Sequence, residues 1–477
     1  MSVVIWWIRR DLRLADNSAL YAAAQSGNAV IPLYIIDPVL IDSDRYRGPR
    51  VAFMLAGLEA LAASLPNVGG RLIVRHGRPA DVLPNFAREV GAQALHFNRD
   101  YSPYATARDT AVTTALQAQG VRVTSYKDLV LHEADEVISK GGKPYNVYTP
   151  FRNVWETLPK PAVLPMPSAL DTPRDIRSDA IPKPEDHGSA PAAHPIAEAG
   201  EAAARERLDT FIAAIIEEYK EERNIPAKDG SSRLSPYLRW GMLSPRTVYD
   251  AAAAALERAR TPAHRDSVRA WINEVAWREF FYQVLARNPH VATSAFKPLY
   301  DTLTWERERS EQLAAWTAGQ TGYPIVDAGM RQMHETGWMH NRLRLIVSSF
   351  LCKDLLIDYR EGERVFMQHL LDGDLASNNG GWQWSAGTGT DSAPYFRIFN
   401  PTSQGQRFDP GGEYIRQYVP ELRNVPTEYI HEPHRMPDAV QREVGCIIGT
   451  DYPAPIVDHA EQRKRALAMY GRVRGED

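Results

Sequence analysis

The chain has 477 residues, a net charge of −4, 44% hydrophobic and 24% charged residues. That length suits two or three domains, and the balance is that of a globular protein rather than a fibrous or disordered one. No apolar run reads as a bilayer span, the opening MSVVIWWIRRDLRL lacks the layout of a signal peptide, and two cysteines, Cys352 and Cys446, are too few for a disulfide scaffold or a cysteine-built metal centre. The expectation is a cytoplasmic, monomeric protein away from membranes. With this charge, any nucleic-acid partner must meet a local basic patch.

Residues 1–128 alternate short apolar runs with amphipathic stretches. The runs 3–8, 29–36, 71–76, 94–98 and 121–126 read as strands, and 17–25, 50–64, 79–90 and 104–118 as helices. This alternation predicts an α/β domain with a doubly wound, five-stranded parallel sheet. No G-x-G-x-x-G follows the first strand, which argues against a standard NAD site. Residues 129–200 hold scattered prolines without a clear period and read as a connector. From 201 to 477 the pattern is mainly helical, most evenly up to about 375, and predicts a large all-α domain.

Four segments carry chemistry. In 223–238, a glycine, Ser231, Ser232, Arg233, Leu234 and Ser235 lead into a helix, as a phosphate cradle or as a plain capped start. In 271–281, Trp271, Glu274 and Arg278 share one helical face with Trp277 beside them, either lining a cleft or forming a solvated ion pair. In 337–344, Trp338, His340, Asn341, Arg342 and Arg344 form a dense polar end, with the arginines suited to phosphate and His340 to a structural role. In 372–384, Asp372, Gly373, Asp374 and Asn378 precede Trp382 and Trp384. The carboxylates suit acid–base work or accepting hydrogen bonds better than metal binding, and on a helix the two tryptophans serve different neighbours. No hydrolase, zinc-protease or P-loop signature is present.

In this order the segments resemble the photolyase/cryptochrome family, and in particular its bacterial cyclobutane-dimer class. The resemblance rests on VIWWIRRDLRLADNSAL, TGYPIVDAGMRQMHETGWMHNRLR and DGDLASNNGGWQWSAGTGTDSAPYFRIFNP, and it runs from Val3 to about Asp458. It implies a helical domain holding FAD, active as FADH⁻, and light-driven repair of pyrimidine dimers in double- or single-stranded DNA. It assigns flavin contacts to Tyr219, Ser231, Ser232, Arg233, Leu234, Ser235, Trp271, Glu274, Arg278, Trp338, Asn341, Arg344, Asp372, Gly373, Asp374 and Asn378, with Arg344 paired to Asp372. It places Glu274, Trp277, Asn341, Leu345 and Trp384 against a flipped dimer, and Arg223, Arg278, Arg342, Arg397 and Gln404 on the DNA backbone. Flipping suits a lesion that stacks poorly.

Three features depart from the family pattern. Trp382 and Trp305 match the inner and outer members of a tryptophan relay to the flavin, but Tyr359 stands in the middle. Leu345 replaces a methionine that many relatives carry. Tyr104 and Ala105 replace an Asn–Glu pair found in folate-binding relatives, so the second, antenna chromophore reads as 8-hydroxydeazaflavin ahead of methenyltetrahydrofolate. A cryptochrome-type photoreceptor is the alternative. Asn378-Asn379-Gly380-Gly381 and the short stretch after Asp458 speak for repair. A (6-4) photoproduct enzyme would need a second histidine where Asn341 stands.

Overall fold

A computed structural model describes residues 2–44 and 47–475. Five strands, β1 (Val3–Ile8), β2 (Ala29–Ile36), β3 (Ile73–His76), β4 (Ala92–Asn98) and β5 (Arg122–Tyr126), form one parallel sheet in the order β3-β2-β1-β4-β5. Helices α1 (Ser18–Gln25), α2 (Pro49–Ser64), α3 (Pro79–Val90) and α4 (Pro103–Gln117) cover it. The two-residue period of the strands divides the core. Val4, Trp6 and Ile8 join a large cluster that continues into the helical domain, while Ile5 and Trp7 pack with Leu83 and Leu116 on the other face. The fold class is the one the strand–helix alternation predicts.

By length and composition, Pro49–Val68 is apolar enough to cross a membrane, against the expectation from the sequence. In the fold it is a core element. Phe53, Leu55, Leu58 and Leu61 are buried in the same cluster as β1 and β2.

The segment 129–200 wraps the molecule and contains α5 (Tyr148–Thr157). The helical remainder supplies α6 (Glu201–Ala214), the short α7 (Ser235–Trp240), α8 (Pro262–Arg287), α9 (Pro324–Thr336), α10 (Asn341–Ser349), α11 (Tyr359–His369) and α12 (Leu375–Ala386). Helices continue beyond 375, with α13 (Pro401–Phe408) and α14 (His459–Arg474) among them. The polar residues of the opening motif clamp the two halves together. Arg13 pairs with Asp128 at 2.7 Å, and Asp16 and Asp128 each accept from Arg246 at 2.7 Å, all almost fully buried.

Candidate active site

The helical half encloses a cleft of about 330 Å³ between α7, α8, α10 and α12. α8 starts cleanly because Thr261 caps it and Pro262 fills its first turn. Trp271, Glu274, Arg278, Phe281 and Tyr282 then fall at three- and four-residue intervals and line one wall, with Trp277 at its edge. Asn341, Arg344 and Leu345 come from α10. Asp374 opens α12 as its N-cap, accepting from the Ser377 amide at 3.1 Å, and Asn378, Gly381 and Trp382 follow along the helix. Gly380 lets α12 approach α8, since a Cβ there would lie 2.2 Å from the Phe281 ring. A Cβ on Gly381 would meet nothing within 4 Å, so its flank is open.

The floor of the cleft is charged. Arg344 donates to Asp372 Oδ2 at 2.8 Å, the pair expected from the sequence, while the buried Oδ1 of Asp372 has no hydrogen-bond partner among the described residues. A buried carboxylate oxygen in that position calls for a donor from a bound group. Asp374 is used by the protein itself: Oδ2 accepts from Arg10 at 2.6 Å and from the Tyr282 hydroxyl at 2.7 Å. Burial pushes this carboxyl up, but Arg10, Arg239 and the Tyr282 hydrogen bond outweigh it and hold it well below the usual range. Arg50 and Arg239 each donate to the Gly373 carbonyl at 2.8 Å. A Cβ on Gly373 would lie 2.6 Å from Arg50 Nη1, so a larger residue there would displace that guanidinium.

At the mouth, Arg223 pairs with Glu274 at 2.8 Å. Burial raises the Glu274 carboxyl above its ordinary value against the pull of Arg223. Arg342 sits over the Phe408 ring at 4.4 Å and is bound to Asn224 at 2.7 Å. Burial lowers its pKa, and the nearby Arg223, Arg407 and Arg397 lower it further. Arg223, Arg342, Arg397 and Arg407 thus form a local basic cluster. Arg397 is exposed, and Gln404 lies on α13 beside Arg407. His340 is structural: it is buried and caps α10 by accepting from the Arg342 amide at 3.1 Å.

Several expected contacts lie outside the cleft wall. Tyr219 is buried under Arg223, edge-on to Phe211. Ser231 and Arg233 belong to a loop pinned by Arg207, which donates to the Ser231 carbonyl at 2.6 Å and the Ser232 carbonyl at 2.8 Å. Only Ser232, Leu234 and Ser235 of that loop reach the cleft, and Trp338 packs behind it, 5.7 Å from Arg233. Their side chains turn away because the loop closes on Asp229 and Arg207 instead. Trp384 faces a small adjoining pocket that it shares with Trp277, while Trp382 is buried between Phe366 and Trp316. The two tryptophans do serve different neighbours. Tyr359 is buried and its hydroxyl has no hydrogen-bond partner; Trp305 is half-buried and edge-on to Tyr470. Sequence reading missed Arg10, Arg50, Arg239 and Tyr282, whose partners lie far away along the chain, and Arg207, which reaches its loop from the preceding helix.

A second cavity, of about 280 Å³, lies at the carboxyl ends of β1, β2 and β4. This is where the strand order reverses, the usual ligand position of an open parallel sheet. Trp7, Arg10, Asp37, Tyr104, Arg108 and Arg239 line it, so Arg239 borders both cavities. The Tyr104 hydroxyl donates to Asp37. Among the described residues, no group of three or more His, Cys, Asp or Glu side chains could hold a metal ion.

Two family models match the chain: "DNA photolyase" over residues 4–169 and "FAD binding domain of DNA photolyase" over residues 271–472. The deoxyribodipyrimidine photo-lyase of Halobacterium salinarum is 43% identical over 99% of this chain and 100% of its own length. The crystal structure of a bacterial class III photolyase from Agrobacterium tumefaciens superposes with a TM-score of 0.91 at 39% identity, covering 100% of this chain and 98% of that one. The Synechocystis cryptochrome structure superposes with a TM-score of 0.92 at 31% identity, covering 98% and 99%.

Proposed function

The chain belongs to the DNA photolyase family, and we propose that its central cleft holds FAD and receives a pyrimidine dimer turned out of DNA. Its activity is that of a deoxyribodipyrimidine photo-lyase, a light-driven carbon–carbon lyase acting in DNA repair. The observation that carries the cleft assignment is the buried, unpartnered Asp372 Oδ1 beside the open flank of Gly381. A flavin ring offers the N–H donor such an oxygen needs and a flat body for that flank.

Ser232, Leu234 and Ser235 would hold the phosphate and ribityl side, Arg344 and Asp372 the ring edge, and Asn378 the opposite flank. FAD, once bound and reduced, would lend the dimer an electron on photoexcitation and regain it when the ring bonds have parted, leaving no net redox change; the protein would supply position and electrostatics. Trp277 would grip the lesion by its exposed ring, Leu345 would keep the pocket apolar, and Glu274 and Asn341 would meet the base edges. Arg223, Arg342 and Arg397 would take phosphates, with Arg407 added by its place in the cluster. Trp382 would be the innermost donor for flavin reduction, with Tyr359 and Trp305 behind it.

The second cavity suits the antenna chromophore. Tyr104 and Ala105 favour 8-hydroxydeazaflavin over methenyltetrahydrofolate there. The protein is taken to act as a cytoplasmic monomer. The photoreceptor alternative shares the scaffold, but identity with the repair enzymes is higher. Two measurements test the reading: flavin content of the purified protein, expected at one FAD per chain, and binding in the dark to DNA with and without a single thymine dimer. Bound flavin with no preference for the lesion would contradict it.

A further inference from the structure

We infer that Tyr148, on the connector helix α5, is a positioning residue for Trp277, and that the connector thereby builds part of the lesion-recognition wall. The inference rests on the reading of Trp277 as the ring that grips the dimer. Tyr148 is 8% exposed and lies flat against Trp277, with ring centroids 3.6 Å apart and planes at 8°. Phe280 and Phe281 close the edges of the indole at 5.7 and 5.5 Å. Trp277 lines the cleft and Tyr148 does not, so Tyr148 stands behind the ring and leaves the other face to the substrate.

A nearly eclipsed sandwich is the arrangement that two ring quadrupoles like least. It is therefore imposed from outside the pair. The Tyr148 hydroxyl donates to the Asn273 carbonyl at 2.8 Å, one turn before Trp277 on α8. The Tyr148 amide donates to Asp391 Oδ2 at 2.9 Å, on the loop after α12. Anchored at both ends, the phenol acts as a spacer that fixes the depth and tilt of the indole. An aliphatic side chain would fill the space but, without a flat ring against the indole, would leave it free to rock.

Full-length, FAD-loaded Tyr148→Ala and Tyr148→Leu proteins test this. Both should bind a thymine-dimer oligonucleotide about tenfold more weakly, the scale of one aromatic contact, with unchanged flavin content and unchanged affinity for undamaged DNA. Tyr148→Phe keeps the stacked ring and should retain most of the preference. In a Trp277→Ala background, Tyr148→Leu should cost nothing further. Equal losses on damaged and undamaged DNA, or losses fully additive with Trp277→Ala, would overturn the inference. Unchanged dimer preference in Trp277→Ala alone would instead remove the reading of Trp277, and this inference with it.

Discussion

Arg223 holds Glu274 at 2.8 Å across the mouth of the cleft, so one arginine of the basic rim is also the cation that restrains the half-buried carboxyl. The two duties compete. A phosphate that drew Arg223 outward would leave the Glu274 carboxyl without its cation and raise its pKa further.

Arg223→Ala should show both effects. The slope of DNA affinity against salt should fall by about one. The Glu274 carboxyl should move further above its ordinary value, so the pH profile of repair should shift upward. Repair yields across the pH range check this, and profiles that coincide with wild type would contradict the coupling.

Asp372→Asn should weaken flavin retention. A hydrogen bond to a charged group contributes about 1.5–3 kcal/mol, which is roughly ten- to a hundredfold in a dissociation constant. Equilibrium dialysis of FAD measures it. Retention equal to wild type would mean that the unpartnered Oδ1 does not face the cofactor.

Tyr359 has no hydrogen-bond partner for its hydroxyl, and burial raises its pKa. An oxidised phenol sheds its proton, and among the described residues no group accepts from this hydroxyl. Transient absorption should therefore show slow flavin photoreduction in the wild type, faster reduction in Tyr359→Trp and almost none in Tyr359→Phe, with repair by already reduced protein unchanged. Equal radical yields in all three would remove Tyr359 from the relay.

His340 can cap α10 only when its ring nitrogen is unprotonated. Burial, helped by Arg342, Arg233 and Arg344, lowers its pKa from 6.5 to about 3. The unfolded chain therefore takes up the proton first, so this contribution to stability is complete above pH 6.5 and is lost as pH falls towards 3. His340→Asn keeps a capping oxygen without the titration. Its melting temperature should fall less than that of wild type on acidification across that window, and parallel falls would refute the capping account.

The sheet was legible because its strands are short apolar runs separated by capped helices. The cleft wall on α8 was legible because Trp271, Glu274 and Arg278 repeat at helical spacing. Spacing carries no information about distant partners. Arg10 and Asp374 are 364 positions apart yet form one ion pair, and Tyr148 reaches Trp277 from a connector without a clear period. The loop 231–235 does border the cleft through Ser232, Leu234 and Ser235, but its conformation depends on Arg207, one helix earlier. Pro49–Val68 shows the same limit in reverse: the sheet beneath it decides that it is core.

The central claim is best tested with one oligonucleotide carrying a single thymine dimer, mixed without oxygen with the reduced, FAD-containing protein and split into lit and dark samples. Chromatography of the digested strands should show intact thymines restored in the light and none in the dark. Bound flavin with equal dimer content in both samples would contradict the account.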